Sequence, residues 1–209
     1  VPVRGDFSRI EVLWEAVRDA DVVFHVAGVT RARDWATFEQ GNITATLNLL
    51  GTILEANPNV RKVLITSSLA AVGYCPGGVA TEESPLRPIS AYGRSKALME
   101  QALRAPRADG PSFAERLPIV IVRPPAVYGP READIYTFFR TVSRGLCPIV
   151  GSGRRPELSL VHVRDLVRGM VDAAESDVTT GQTYFIGSEQ FYSWREIRDA
   201  TLKALGRRA

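Results

Sequence analysis

The feature that most restricts the fold is a set of short, almost uninterrupted apolar runs set between stretches of helical periodicity. Val22-Val23-Phe24-His25-Val26, Val63-Leu64-Ile65 and Ile119-Val120-Ile121-Val122 are too short for helices and too continuously apolar for strands with one wet face. They predict strands covered on both sides, as in a parallel sheet. Between them, Ser8 to Asp19 carries Ile10, Leu13, Trp14 and Val17 on one helical face. Trp35 to Ala56 carries Ile43, Leu47, Leu50 and Leu54 on another, and Asn57-Pro58 ends it. Ser90 to Arg104 predicts a third helix with Ser90 as its N-cap. Strand–helix–strand alternation with right-handed crossovers predicts an α/β fold built on a doubly wound parallel sheet.

After Arg123 the texture changes. Pro124, Pro125, Pro130, Pro148 and Pro156, with Gly145, Gly151 and Gly153, cut the chain into shorter pieces. Arg164–Ala174 and Ser193–Leu205 still read as helices, and Thr183–Ile186 as a strand. The expected organisation is a sheet domain over 1–123 and, over 124–209, mainly a small lobe partly interleaved with it. Such a lobe belongs over the carboxyl edge of the sheet, where open α/β folds bind ligands.

Composition excludes several classes. The net charge of +3 over 209 residues is spread thinly, and its densest stretch, Arg154-Arg155, is too short for a nucleic-acid patch. Cys75 and Cys147 lie in no CxxC or Cys/His cluster, which argues against a disulfide framework or a metal site and fits a reducing, cytoplasmic setting. No apolar run approaches the ~20 residues of a membrane span. The opening Val1-Pro2-Val3-Arg4-Gly5-Asp6 has no signal-peptide pattern and reads as a strand tail entering a turn, so the chain is expected to begin in mid-fold.

The strongest chemical signal is Tyr92-Gly93-Arg94-Ser95-Lys96, because residues i and i+4 share a helix face. A phenol near pKa ~10 is a poor base at neutral pH, and a close ammonium lowers it. Bringing it to neutrality requires about 4 kcal/mol of differential stabilisation. The pair then supplies a base for a hydroxyl proton or an acid for a carbonyl oxygen. By itself Y-x-x-x-K is equally what a solvated helix face provides. The second signal is Thr66-Ser67-Ser68 at the end of an apolar strand, where a hydroxyl can donate to a reacting oxygen. The bland alternative is a strand end finished with small polar residues. His25 and His162 read as structural hydrogen-bonders, Cys75 as inert, Trp14, Trp35 and Trp194 as packing, and Asp165 as a helix opener.

Taken together, Ser68, Tyr92 and Lys96 resemble the catalytic triad of the extended short-chain dehydrogenase/reductase family, home of the sugar-nucleotide epimerases and dehydratases. Other segments match in order. Gly5-Asp6-Phe7 is similar to the family's G-D-hydrophobic turn, and Asp21 to Gly28 to its H-x-A-G strand. Asn42 falls in its asparagine-bearing helix. Arg123 to Pro130, "RPPAVYGP", resembles R-P-x-x-V-Y-G-P, and Leu160 to Met170 resembles its V-H-V-x-D-L segment. The resemblance implies a Rossmann-like sheet, NAD or NADP as cofactor, and hydride transfer at a C–OH/C=O carbon. It implies Tyr92 as acid/base, Lys96 also on the nicotinamide ribose, and Ser68 rather than Ser67 aligning the substrate oxygen. Asp6, Ala27, Asn42 and Pro125 become further cofactor contacts. A small-molecule substrate, no nucleic acid, no membrane and a homodimer paired through the Trp35–Ala56 and Ser90–Arg104 helices also follow.

Two departures stand out. The family's opening G-x-x-G-x-x-G, whose amides hold the pyrophosphate, is absent from these residues. Gly77-Gly78 does not replace it, lying in the loop after Ser68. The first βαβ unit is therefore expected to be missing. Where sugar-nucleotide epimerases often carry an arginine before V-H-V, this chain has Leu158-Ser159-Leu160. Either Arg154 or Arg155 substitutes, or the substrate has no diphosphate and the enzyme is a net alcohol dehydrogenase or ketoreductase, like dihydroflavonol reductases or hydroxysteroid dehydrogenases. A non-catalytic scaffold that kept the fold is the rival from another class.

Overall fold

The computed structural model describes residues 2–75, 78–146 and 157–207. It divides into two compact units, 1–123 with 170–185, and 124–169 with 186–209. In the first, β1 (Val22–His25), β2 (Lys62–Thr66), β3 (Ile119–Arg123) and β6 (Thr183–Phe185) form a parallel sheet in the order β1-β2-β3-β6. The apolar runs became strands, but only two are covered on both sides: all of β3 is buried and β2 is buried but for Thr66, whereas β1 stands at the edge of the sheet with Phe24 42% exposed and His25 its one buried residue. Helix α1 (Ile10–Val17) precedes β1, α2 (Trp35–Phe38) and α3 (Ala45–Ala56) lie in the crossover from β1 to β2, and α4 (Ala91–Arg104) and the short α5 (Phe113–Arg116) in that from β2 to β3. Leu49, Leu50 and Ile53 of α3 and Met99 and Leu103 of α4 pack with Val63, Ile65 and Ile121 in one core. Each fully buried Leu or Ile there contributes roughly 1.5–3 kcal/mol.

Four details depart from the sequence reading. Trp35–Ala56 is not one α-helix, because a π-helical turn over Glu39–Thr44 interrupts it. Residues 2–6 form no strand, having no neighbouring chain to pair with among the described residues. Trp14 is 40% exposed rather than packed. The helix α5 went unrecognised, although Ser112 and Glu115 build a capping box around it. Ser90 caps α4 as expected, accepting from Gly93 N at 3.0 Å.

The second unit holds β4 (Ala126–Tyr128), β5 (Leu158–His162) and β7 (Phe191–Tyr192) in a small mixed sheet, with helices α6 (Asp134–Ser143) and α8 (Trp194–Ala204). Its core joins Phe138, Val142, Leu160, Ile197 and Leu202, and Trp194 packs on Phe138 with ring centroids 5.1 Å apart. Helix α7 (Val163–Glu175) follows β5, with Asp165 in its first turn.

Candidate functional site

Tyr92 and Lys96 lie on the amino-terminal half of α4, facing the carboxyl ends of β1 and β2. The close approach depends on Gly93: a Cβ there would sit 2.2 Å from Ala70 O, inside the 3-10 turn that follows Ser68. Alanine would push α4 off that turn. Ser68 Oγ accepts from Ala70 N at 3.1 Å, and the Ser68 hydroxyl lies close enough to the Tyr92 phenol to lower its pKa. Ser67 points elsewhere and gives its hydroxyl to Glu100 at 2.6 Å. Of the two serines, Ser68 alone reaches Tyr92.

Lys96 is 4% exposed and donates to Thr66 O at 2.8 Å. Burial lowers its pKa to about 8, while the Glu100 carboxylate opposes the fall. Burial also raises the Tyr92 pKa, and the Ser68 hydrogen bond only partly offsets that. The expectation that Lys96 pulls the phenol down is thus corrected here. Desolvation dominates, and the ammonium is directed to a backbone carbonyl.

Asn42 is buried at the π-helical turn. Its Oδ1 accepts from Val29 N at 2.7 Å, and its Nδ2 donates to Val29 O at 2.9 Å and Ser95 Oγ at 2.8 Å. It therefore locks the loop after Ala27-Gly28 onto α4. Gly28 sits against the same cluster, since a Cβ there would lie 2.9 Å from Asn42 Oδ1 and 3.2 Å from Lys96 Nζ. His25 Nε2 lies 2.8 Å from Thr46 Oγ1, which itself donates to Asn42 O at 2.8 Å. The histidine is consequently the donor, and burial, then the Lys96 charge, lower its pKa to about 4. Ala27 is exposed at the end of β1. Asp6 is exposed and accepts from Ser8 N at 2.8 Å and from the Ser8 hydroxyl, hydrogen bonds that lower its pKa. The structure thus brings Ser68, Tyr92, Lys96 and Asn42 together, with Ala27 beside Gly28. Asp6 stands in its own turn. Pro125 belongs to the second unit, two residues beyond β3.

Sequence reasoning missed Glu100 and Arg123. Arg123 Nε and Nη2 donate to the Glu100 carboxylate at 2.9 and 2.7 Å, and both side chains are almost wholly buried. Burial pushes the Glu100 pKa up, but hydrogen bonds from Arg123 and Ser67 outweigh it and leave the group ionised. Removing one partner of such a pair typically costs about 3–5 kcal/mol. The available signals were the i, i+4 spacing from Lys96 and an arginine ending an apolar strand.

The second unit contains a cavity of about 720 Å³ lined by Tyr128, Phe139, Leu160, Tyr192, Ile197 and Ala204 among others, with no arginine or lysine among its described lining residues. His162 stacks edge-on to Tyr128 at 5.2 Å and accepts from Arg164 N. Gly77, Arg154, Arg155 and Cys147 lie outside the described residues. Among the described residues, no group of His, Cys, Asp and Glu could hold a metal, and no helix is long and apolar enough to cross a membrane.

These features define a class, and residues 2–187 match the model of the NAD dependent epimerase/dehydratase family, to which the chain belongs. It is 37% identical over 198 residues to the uncharacterized protein y4nL of Sinorhizobium fredii, covering 92% of this chain and 54% of that one. It is 29% identical to a 4-hydroxy-2-methyl-3-oxo-4-farnesyl-3,4-dihydroquinoline-1-oxide ketoreductase of Stigmatella aurantiaca, covering 88% of this chain and 54% of the relative. Among solved structures, DesIV, a dTDP-glucose 4,6-dehydratase of Streptomyces venezuelae crystallised with NAD, matches with a TM-score of 0.81 and 27% identity, covering 97% of this chain and 63% of that one. The chain spans about half the length of the curated relatives it matches first.

Proposed function

We propose that this chain is part of an NAD(P)-dependent oxidoreductase of the epimerase/dehydratase kind, acting at a C–OH/C=O carbon of a nucleoside-diphosphate sugar. The observation that carries the reading is the placement of Ser68 beside the Tyr92 phenol, with Lys96 one turn along α4, at the carboxyl edge of a parallel sheet. The residues present fit the nicotinamide–ribose end of a dinucleotide. Lys96 uses one ammonium N–H on Thr66 O and has others to offer ribose hydroxyls, and Gly28 lets the backbone lie directly against Asn42 and Lys96, where a Cβ would collide with Asn42. Ala27, Asp6 and Pro125 complete the proposed cofactor contacts. When bound, NAD(P) supplies a hydride acceptor or donor.

The chain's own residues handle the proton. Tyr92 O–H gives its proton to a carbonyl oxygen as that oxygen gains charge, or takes one from a hydroxyl in the reverse sense. With substrate bound, Ser68 turns its one hydroxyl proton to the same substrate oxygen and holds it at the phenol. A homodimer paired through α3 and α4 is part of this proposal.

One observation favours a second reading, a net ketoreductase acting on an apolar substrate. The cavity in the second unit is lined mainly by aromatic and aliphatic side chains, with Asp165, Glu189 and Glu196 but no described cation on its wall, and Leu158-Ser159-Leu160 stands where a diphosphate-binding arginine is expected. The test is calorimetric titration of NAD+ and NADP+ into the full-length native protein, then assay with UDP-glucose and dTDP-glucose beside apolar ketones. Binding with turnover of a sugar nucleotide is expected. Turnover of apolar ketones alone would favour the second reading, and no binding of either cofactor would sink both and leave a scaffold.

A further inference from the structure

Glu100 lies one turn beyond Lys96, so Tyr92, Lys96 and Glu100 follow one another along one face of α4. Its side chain is wholly buried, a costly place for a carboxylate unless it is paired. Its partners come from separate elements. Ser67 at the end of β2 donates at 2.6 Å, Arg123 at the end of β3 donates twice, and Arg104 of α4 itself donates at 3.2 Å. Arg123 reaches on to Glu82 O at 3.0 Å, and the Glu82 carboxylate accepts from Phe185 N of β6 at 2.9 Å. The Glu100 carboxylate therefore ties the carboxyl ends of β2 and β3 to the helix that bears Tyr92 and Lys96, and Arg123 extends the network through Glu82 to β6. Apolar side chains hold strands to a helix at lower electrostatic cost. This network instead falls where position matters, since Ser67 is the chain neighbour of both Ser68 and Thr66.

We propose that Glu100 is a positioning residue for this site: clamped by Arg123 and Ser67, it holds the end of β2 on α4 so that the Ser68 hydroxyl and the Lys96 ammonium keep their places at the Tyr92 phenol. The inference rests on the reading of Tyr92 and Lys96 given above. Glu100 also acts by charge. Burial drives Lys96 toward its neutral form, and the Glu100 carboxylate opposes it. The other ionisable groups facing this pair are His25 from β1, which burial keeps neutral, Tyr92, and the Arg104 and Arg123 guanidiniums bound to Glu100.

The test uses the full-length protein with ¹³C-labelled lysine and tyrosine, comparing wild type with E100Q, E100D and E100Q/R123M. Lys62, Lys96 and Lys203 are the lysines of this sequence, and K96R identifies the Lys96 resonance. In E100Q, Lys96 is expected to titrate below its wild-type value of about 8 and Tyr92 above its own, with E100D restoring both toward wild type. The double variant removes the cation with the anion, so the measurement survives if E100Q alone fails to fold. Folded variants with lowered heat stability and both titrations unmoved would make Glu100 structural only and overturn the proposal. Turnover of UDP-glucose with NAD+ separates this from failure of the underlying reading. If Y92F turns over like wild type, the reading of Tyr92 fails; if Y92F is inert while E100Q leaves Lys96 unmoved, only the role of Glu100 fails.

Discussion

The two ends of strand β2 each bury a lysine, and the two ammonium groups are treated differently. At the amino end, Lys62 is 2% exposed and donates to Ser176 O at 2.9 Å, Thr179 Oγ1 at 3.2 Å and Thr180 Oγ1 at 2.7 Å. Three donors meet three oxygens, and the group ties β2 to the segment that follows α7. At the carboxyl end, Lys96 has the single acceptor Thr66 O and a pKa lowered to about 8. Burial therefore does not identify a reactive lysine. Saturation does: a cation whose donors are all taken is a staple, and one with donors to spare stands ready for a ligand.

Replacement of each lysine by methionine breaks the comparison most sharply. K96M in the full-length protein is expected to lower turnover by roughly 10²-fold or more with little loss of heat stability. K62M is expected to lower stability by about 1–3 kcal/mol while the folded fraction keeps its turnover. Denaturant titration beside an activity assay reads both, and equal loss of turnover in the two variants would erase the distinction.

The next effect is in pH. Unfolded Lys96 titrates near 10.5 and the folded residue at about 8, so between those values the unfolded chain holds more protons. Stability therefore rises with pH across that window, by about 3 kcal/mol if Lys96 acts alone. Below about 8 the full cost of burying the charge is present. Urea midpoints measured from pH 7.5 to 10.5 should climb in wild type and in K62M, with the Lys96 contribution gone from K96M. A climb that persists undiminished in K96M would assign it to another group.

The smallest expected effect is that of T180V, which removes one of the three oxygens around Lys62 and should cost about 1 kcal/mol. A much larger loss would mean that the Lys62 staple acts as a unit rather than as three separate bonds.

What the sequence made legible was whatever is local in the chain. The Ser90 cap, the shared face of Tyr92 and Lys96, and the buried strands all follow from spacing over a few residues. Glu100 and Arg123 were not legible as a pair, because each alone reads as an ordinary surface charge and only the adjacency of α4 with β2 and β3 brings them together. Lys62 sits in "RKVLIT" with every sign of a solvated strand entry, and its partners at 176–180 lie far along the chain. The phenol's raised pKa was misjudged for a related reason: spacing places a lysine near a tyrosine but says nothing about the carbonyl to which that lysine turns. The clamp of Asn42 on Val29 escaped because Trp35–Ala56 reads as one continuous period.

That interrupted period has a consequence for how this helix tolerates change in length. The π-helical turn at Glu39–Thr44 accommodates one residue beyond the regular α-helical count, which turns Asn42 toward Val29 and Ser95. Deleting a single residue there would give a more regular helix by every local measure of propensity. It would also rotate everything on one side of the cut by about 100° relative to the other, taking Asn42 out of the loop it secures. Insertions and deletions in this stretch are therefore judged by phase, and a gain in helical regularity is a loss of the site.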